Sequence, residues 1–570
     1  MPVSPGGHAM QPLSGQSRAF RTAFVKSCVR RRCTFALSHP AKSRYSGRNP
    51  RAVSVPSRQK PWLTRSRWSS SMHIYHRHRS ILFCTEGCRV IIDKKSTIDS
   101  CQSQLQRTVF SRAAVAEPSL PCHAADTARL AVPLAIAQLS QVGMSITDAL
   151  LLGSLGSSAL AAGGLGANLF FTVVSLLQGV LTSVSVSVSH ARGAKDEQRV
   201  LDIYWTGFLL SLLLSISAFV LLSFANPILL AVGTPTLLVQ DIVNYTDVLR
   251  WATAGSLIAT GLMRSFLPAI GAAKWLLWVA LGGGFINGFL SYGLIHGMCG
   301  LPRMGFLGPA TATTFTVWLS ALTLITLLHM RRHFRHFAVL ALPSMTIMRE
   351  LLEIGWPVAI ICGVETMLFL AVGMVVGILG TSSLASNQIA ISIASVGLVV
   401  PVAIGQAANV RISFFSGAGY PLAARRAGFA AFVLGLCFMT LSALVLVLAR
   451  DRIVGFYLPG DSHNSETVDL ATSLLVVTAL FLIVDGMQMI ASGCLRGLKD
   501  TLVPMIIAAF GYWGIAFPIG YTLALPFDFG VRGLWWGLAI GLTTVALLMT
   551  LRFHVLSLRT SINQWNRPVN

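Results

Sequence analysis

The stretch LFLIVDGMQMIASGCLRGLKD, residues 480–500, places an acid, Asp485, in the middle of an apolar run. A carboxylate near the centre of a bilayer costs roughly 3 kcal/mol to insert, so an acid at such a position points to function. Part of the stretch is repeated earlier in the chain, because LIATGLMRSF at 257–266 matches MIASGCLRGL at 489–498 with an arginine in register. The acid has no counterpart in the earlier copy. We therefore expect a membrane protein built from two copies of one helical unit, with Asp485 present in the second copy alone.

The composition excludes a soluble globular protein of this size. The chain has 570 residues, of which 54% are hydrophobic and 11% charged, and its mean hydropathy is +0.66. Such a chain has too little polar surface to fold in water. The net charge of +23 does not indicate nucleic acid, because residues 1–120 hold 21 of the 44 basic residues but only four of the 21 acids. We predict the lipid bilayer as a partner and no nucleic acid.

Residues 1–127 form a basic leader. Its first 85 residues contain no Asp or Glu and are rich in Ser, Arg and Pro. Acid-free leaders of this kind are typical of organellar transit peptides, which are disordered before import. The alternative interpretation is a start annotated too early, with the true chain beginning near Met72 or later. In that case the composition of the leader has no structural meaning.

Apolar runs long enough to cross about 30 Å of hydrocarbon recur from Ala128 onward. One of them contains TSVSVSVS at 182–189, an alternation typical of a strand. We predict a helix there, because exposed strand edges are not viable in lipid and serine side chains can bond back to the preceding turn. The sequence thus predicts an all-α polytopic membrane protein with twelve helices, at 129–152, 161–188, 202–223, 243–266, 275–296, 308–330, 350–377, 385–411, 427–449, 467–492, 502–524 and 533–556.

The two halves of this region repeat in the same sense. GSLGSSALAA at 153–162 matches GILGTSSLAS at 377–386, and Pro133 and Pro357 precede them at the same offset. A parallel repeat about an axis along the membrane normal is one of the symmetry classes of secondary transporters. The predicted domains are a six-helix bundle at 128–330, a cytoplasmic linker at 331–349 and a second six-helix bundle at 350–570.

Loop charges predict the orientation. With a cytoplasmic N-terminus, the inside loops and helix ends carry 14 Lys and Arg residues and the outside loops carry four. This distribution satisfies the positive-inside rule and places both termini in the cytoplasm.

Three acids depart from the repeat: Asp148, Glu365 and Asp485 align with uncharged residues, as Glu365 does with Gln141. Helical spacing puts Asp148 on a polar stripe with Gln141, and Asp485 on another with Gln488. Such stripes face protein or a water-filled cavity rather than lipid. A carboxylate withdrawn from water can hold a proton near neutral pH, and with further oxygen ligands it can hold Na⁺. We therefore predict that these acids couple transport to H⁺ or Na⁺, with no other cofactor.

Several motifs resemble the multidrug and toxic compound extrusion (MATE) family, and within it the bacterial NorM branch. They are EIGWPVAIICGVETMLFLAVGMVVGILG, NQIAISIASVGLVVPVAIGQAANVRI, DGMQMIASGCLRGLKD and GYWGIAFPIGY, in that order. The resemblance covers residues 128–556. It implies that the acids of helices 7 and 10, Glu365 and Asp485, form the cation-coupling site of the second bundle, where Na⁺ could bind. It also implies that Asp148 matches the acid near the end of helix 1.

Two residues depart from the pattern of that family. Phe481 stands where the family often has a tyrosine, one turn before the helix-10 acid, and therefore lacks a hydroxyl that could bind Na⁺. Asn387 stands where NorM-like sequences commonly have a histidine.

Aromatic rings and amides inside the helices are the predicted contacts for a substrate. Flat, lipophilic cations are attracted to the faces of aromatic rings. Polar side chains at helical spacing can line the same cavity or simply join helices. The predicted substrate-cavity residues are Gln141, Phe170, Phe369, Gln388, Phe481 and Tyr512.

The function these features predict is that of a secondary active antiporter. It would export amphipathic organic cations against H⁺ or Na⁺ by a rocker-switch movement, as a monomer in the bacterial inner membrane, or in an organellar envelope if the leader is a transit peptide. A flippase or a dedicated metabolite exporter on a related scaffold is the alternative. No Walker A motif, H-E-x-x-H, G-x-S-x-G or clustered His/Asp set occurs within the helices, so we expect neither ATP hydrolysis nor another enzymatic activity.

Overall fold

Contacts divide the chain into an N-terminal unit, Met1–Ala113, and a membrane unit, Ala114–Asn570. In the first unit, four antiparallel strands pair in chain order: β1 (Arg65–Trp68), β2 (Met72–Arg77), β3 (Ser80–Thr85) and β4 (Cys88–Asp93). The end of the leader, from Leu120, already belongs to a helix that continues to Gly153, and the predicted disorder of the remaining leader residues concerns residues outside the described ones. The computed structural model describes residues 65–68, 72–77, 80–85, 88–93, 119–231, 236–298, 300–331, 334–457 and 465–565.

The membrane unit is helical throughout its regular elements, in agreement with the predicted class. Its first half contains α1 (Leu120–Gly153), α2 (Ser157–Gly193), α3 (Glu197–Ser223), α4 (236–269), α5 (Ala273–His296) and α6 (Gly308–Met330), with a short helix at Ala225–Ala231. Its second half contains α7 (Met345–Ile378), α8 (Thr381–Gly417), α9 (Pro421–Tyr457), α10 (Ser465–Gly497), α11 (Leu502–Ala524) and α12 (Gly530–Trp565). A 3₁₀ turn at Arg335–Ala338 lies between the halves.

Eleven helices among the described residues are long and apolar enough to cross a membrane. The remaining predicted span, 243–266, falls in α4, where regular α-helix is interrupted. A 3₁₀ turn at Arg250–Ala252 and a π segment at Leu257–Met263 divide it. A second π segment, Phe510–Ala516, lies within α11. Such π segments are rare and often occur at functional sites.

The TSVSVSVS stretch is helical, which confirms the prediction made for it. It lies inside α2. The Thr182 hydroxyl donates to the Gly179 carbonyl and the Ser183 hydroxyl to the Val180 carbonyl, both at 2.7 Å. These bonds to the preceding turn satisfy the hydroxyl groups inside the bundle.

The backbone conformation repeats at the positions where the sequence repeats. Gly156 precedes α2 with a φ of 123°, and Gly380 precedes α8 with a φ of 102°. A residue with a Cβ rarely adopts such angles, so glycine is needed for both sharp turns. The prolines at equivalent positions, Pro133 and Pro357, both lie inside the helix that precedes the turn.

The two bundles meet in a crossing of α2 and α8 that obeys the same symmetry. Gly193 of α2 packs against the carbonyl oxygen of Phe414, and Gly417 of α8 packs against the carbonyl oxygen of His190. Gly193 and Gly417 share one offset in the repeat, as do His190 and Phe414. The contact is therefore reciprocal, which places the pseudo-two-fold axis between the predicted cytoplasmic ends of these helices.

Candidate functional site

Asp485 lies in the interior of the second bundle, on α10. Its side chain is fully buried, and neither carboxylate oxygen has a hydrogen-bond partner among the described residues. One turn further along α10, Gln488 accepts nothing at its Oε1 atom, while its Nε2 donates to the Tyr512 hydroxyl at 2.8 Å. Three buried acceptor oxygens of α10 thus lack a donor, whereas buried acceptors in folded proteins normally have one.

Glu365 of α7 lies beside this group and reaches the space between the bundles. It is near enough to Asp485 for the two carboxylates to interact electrostatically, and Tyr512 is within the range of both. Glu365 and Gln488 line a cavity of about 280 Å³ to which α2 and α4 of the first bundle also contribute. The tertiary structure therefore brings together the two acids predicted from helices 7 and 10.

Phe481 has a different environment from that of the acids. It is fully buried and packs edge-to-face against Trp535 of α12, with ring centroids 5.2 Å apart. The indole Nε1 of Trp535 donates to Asn387 Oδ1 at 2.9 Å. The Phe369 ring also lies edge-to-face to Phe481, with ring centroids 6.3 Å apart. Phe481 and Asn387, the two departures from the family pattern, are thus joined through a single tryptophan.

Asp148 lies in the first bundle, and its carboxylate is surrounded by donors. Ser291 of α5 donates to Oδ1 at 2.9 Å, and Thr313 of α6 donates to Oδ2 at 3.0 Å. The Asn287 amide lies 3.1 Å from Oδ1 in the orientation that satisfies both groups. Sequence reasoning missed Asn287, Ser291 and Thr313. The available signal was a lone asparagine in an apolar helix, followed by a serine one turn later.

The predicted substrate-cavity residues occupy several places. Gln141 and Phe170 line a second cavity of about 500 Å³, at which Thr313 links the lining to Asp148. Tyr512 is buried against Gln488. Gln388 is exposed on α8. The structure thus assembles Gln141 with Phe170, and Phe369 with Phe481, but not all six residues in one cavity.

At the predicted cytoplasmic end, Glu350 of α7 joins the bundles. Its Oε2 lies 2.6 Å from Arg199 Nη2 of the first bundle, and its Oε1 lies 2.8 Å from Lys499 Nζ of the second. The Ser187 hydroxyl of α2 also donates to Oε1, at 3.4 Å. A single carboxylate therefore links α7 with α2, with the start of α3 and with the end of α10.

A second link across the bundles is centred on Arg411 of α8. Its guanidinium donates to the Thr127 hydroxyl of α1 at 2.6 Å and lies 2.9 Å from His123 Nδ1. Asp126 lies 3.5 Å from the same group. These contacts, the Glu350 ion pairs and the glycine crossing hold the bundles together at this end of the molecule.

The match to a known protein family agrees with the repeat found in the sequence. The MatE family model matches twice, at residues 133–292 and at 357–522, once in each bundle. The chain belongs to the MatE family. This membership identifies it as a multi-pass membrane transport protein and not an enzyme, and it confirms the predicted family.

Curated relatives and solved structures agree with this assignment. The chain is 65% identical over 449 residues to a "Probable multidrug resistance protein NorM" of Burkholderia mallei, covering 78% of this chain and 96% of the relative. It is 61% identical to the "Multidrug resistance protein NorM" of Burkholderia vietnamiensis, covering 78% and 97%. A eukaryotic MATE transporter structure superposes with a TM-score of 0.70 at 22% identity over 78% of this chain and 99% of that one, which shows a common fold.

Proposed function

We propose that this MatE protein is a secondary active antiporter. It exports amphipathic organic cations in exchange for H⁺ or Na⁺ that binds at Glu365 and Asp485, with Asp148 as a further coupling acid. The NorM relatives, which are named for multidrug resistance, support export of drug-like molecules. Their bacterial origin supports the bacterial inner membrane as the location.

The observation that carries this proposal is the cluster of unsatisfied acceptors on α10. Both carboxylate oxygens of Asp485 and the Oε1 of Gln488 are buried without a donor, and Glu365 lies beside them. A proton or Na⁺ would satisfy these oxygens, since a buried acceptor needs a donor or a cation. A cationic substrate attracted by the same acids would compete with that ion. Competition of this kind is the basis of exchange.

The contacts at the predicted cytoplasmic end are those that would break and re-form during transport. For a rocker-switch cycle, the Glu350 ion pairs and the Arg411 contacts must break while α2 and α8 separate at Gly193 and Gly417. Partly exposed ion pairs contribute about 1 kcal/mol or less each, so they can open and close during transport. Both bundles lie in one chain and together line the cavity, which supports a monomer as the working unit.

The test uses purified protein in vesicles loaded with a fluorescent organic cation. We expect Glu365→Gln and Asp485→Asn each to reduce gradient-driven efflux by about a hundredfold, because each removes a charge that binds the coupling ion. Glu353→Gln is the matched control, since Glu353 is 61% exposed on the same helix and pairs only with Arg349 among the described residues. Efflux by this control should equal that of the unmodified protein.

Separate Na⁺ and proton gradients on the same vesicles identify the ion. Normal pumping by both acid variants would show that the coupling assignment is wrong. If neither gradient drives any cation but labelled lipid crosses the bilayer, the protein is a flippase instead.

A further inference from the structure

His123 lies where the start of α1, in the first bundle, packs against α8 of the second. Its side chain is fully buried, and its ring lies edge-to-face to Phe415 of α8, with ring centroids 5.8 Å apart. The guanidinium of Arg411, one turn before Phe415, lies 5.8 Å from the centroid of the same phenyl ring. A histidine of one bundle is therefore in contact with two side chains of the other.

The contact between Arg411 and His123 fixes the protonation state of the imidazole. Arg411 Nη2 lies 2.9 Å from His123 Nδ1. A guanidinium has only N–H donors and stays charged, so Nδ1 must be the acceptor of this bond. A doubly protonated imidazole has an N–H donor at both nitrogens and cannot accept. His123 is therefore neutral in this conformation of the protein.

Arg411 also binds two other acceptors on the same turn of α1. Its Nη1 donates to the His123 carbonyl oxygen and to the Thr127 hydroxyl, the latter at 2.6 Å. The Thr127 hydroxyl donates in turn to the same carbonyl oxygen at 2.9 Å. The Arg411 side chain is 11% exposed. One largely buried guanidinium thus holds the start of α1 at a fixed position on α8.

Most of the charged residues near His123 are basic. Asp126 is the acid of that turn, and it lies 3.5 Å from Arg411 and 3.6 Å from Arg129, with 51% of its side chain exposed. Two further helices, α5 and α9, pack against α1. The charged residues in their first two turns are Lys274, Arg425 and Arg426, and the last turn of α2 brings His190 and Arg192 to the same end of the molecule. A proton on His123 would therefore add positive charge where basic residues already predominate.

The His123 contact lies close to the place where the bundles cross. Arg411 precedes Gly417, the α8 glycine of the crossing, by less than two turns of helix. When α2 and α8 separate at that crossing, α1 and α8 must also part. The bond between Arg411 and His123 thus exists in one state of the protein and is absent in the other.

We propose that His123 and Arg411 form a proton-sensitive latch, which holds the predicted cytoplasmic end closed while His123 is neutral. A proton on Nδ1 would replace the acceptor with a donor and bring two positive charges to hydrogen-bond distance. The open state frees the imidazole, which can then take up a proton. Acidification on the cytoplasmic side therefore favours the open state. The latch does not rest on the proposed antiport.

Histidine is suited to this role because its charge changes between pH 5 and 8. A free histidine, with a pKa of about 6.5, is about nine-tenths protonated at pH 5.5 and about one-tenth at pH 7.5. If only the open state can be protonated, the ratio of open to closed protein should rise about tenfold between these two pH values.

The experiment measures this ratio by double electron–electron resonance on full-length protein in lipid nanodiscs. Spin labels are placed on cysteines introduced at Gln198 of α3 and Leu502 of α11, two exposed positions at the predicted cytoplasmic end, one in each bundle. The native cysteines are replaced by alanine. Glu365→Gln and Asp485→Asn are included, so that titration of these two acids cannot contribute. We expect the longer-distance population to rise about tenfold, relative to the shorter one, from pH 7.5 to pH 5.5.

Two variants assign the response to the latch. His123→Gln provides an amide oxygen that can accept from Arg411 but does not titrate, so the change with pH should fall below about twofold and the closed state should persist. Arg411→Gln removes the charged donor, so the open population should be larger at both pH values and should no longer depend on pH. Thermal melting at pH 7.5 shows which variants are folded.

Two other histidines at the same end are the controls. His554 of α12 lies edge-to-face to Phe429, with ring centroids 5.8 Å apart, and His190 of α2 is within electrostatic range of Glu350 and Lys499. His554→Gln and His190→Gln should each keep the tenfold response. If His190→Gln abolishes the response instead, the pH dependence belongs to the Glu350 ion pairs and the latch is wrong.

The proposal is also overturned if the labelled protein with His123 intact shows no change with pH, an outcome that needs no latch variant to fold. A folded His123→Gln variant that keeps the full response overturns it as well. The efflux measurements on Glu365 and Asp485 test the proposed function separately. If those acid variants pump normally while the tenfold response depends on His123 and Arg411, the coupling assignment fails and the latch stands.

Discussion

The two bundles share one helical framework, but the acid of the first bundle has hydrogen-bond donors around it and the acid of the second has none among the described residues. Asp148 in the first bundle accepts from Ser291, Thr313 and Asn287. Asp485 in the second bundle is fully buried, and its oxygens have no donor in the described part of the chain. The first carboxylate is therefore held by the protein, whereas the second depends on a group that the protein does not supply.

The difference shows how duplication can separate structure from function. Positions that fix the frame, such as Gly156 with Gly380 and Gly193 with Gly417, keep both their residue type and their geometry. The acids depart from the repeat, and the donors around Asp148 come from other helices, α5 and α6. We infer that the bundles are equivalent in packing and different in ion chemistry, and three measurements test this statement.

The largest effect is expected at the crossing of α2 and α8. Gly193→Val and Gly417→Val each add a side chain where the partner backbone already lies. Each should destabilise the protein by about 3 kcal/mol, because overpacking forces the backbones apart. Thermal unfolding in detergent measures the change.

Gly143→Ala is the control for the crossing, since a Cβ at that position meets nothing within 4 Å. It should leave the melting temperature unchanged or raise it. If the two valine variants lost very different amounts of stability, the two bundles would not be equivalent in packing.

An intermediate effect is expected at the acids. Asp148→Asn replaces an acceptor that faces two hydroxyl donors and an amide, so it should cost about 2 kcal/mol in the free energy of unfolding. Asp485→Asn removes no hydrogen bond made by the described residues and removes a buried unpaired acid, so it should leave that free energy unchanged or raise it while efflux falls. Equal destabilisation by the two variants would remove the distinction between the acids.

The smallest effect is expected at the ion pairs that join the bundles. Glu350→Gln weakens the links to Arg199 and Lys499, which are 47% and 34% exposed, so the loss should be about 1 kcal/mol or less. We expect the cytoplasmic end to open more often, measured as faster labelling of a cysteine introduced at Gln406. Glu353→Gln should leave labelling unchanged. Slower labelling in Glu350→Gln would assign these pairs to the open state.

Much of the fold could be predicted from sequence because a bilayer restricts the choices. Long apolar runs must be helices in lipid, and this requirement decided the TSVSVSVS stretch against its alternating pattern. The π segments Leu257–Met263 and Phe510–Ala516 could not be predicted. The aligned LIATGLM and MIASGCL stretches illustrate the reason, since the first is π-helical and the second belongs to the α-helix of α10. Stretches that share Ile, Ala and Gly in register thus adopt either helix form, so the repeat alone does not predict which one.

The sequence by itself determined that this chain is a duplicated membrane protein of the MatE family, and it identified Asp148, Glu365 and Asp485 as the unusual residues. Only the tertiary structure decided what each of them meets. Helical periodicity gives the face on which a residue lies, but not the helix that packs against it. The donors around Asp148, the absence of donors at Asp485 in the described chain, and the bond between Arg411 and His123 all arise from contacts between helices far apart in sequence.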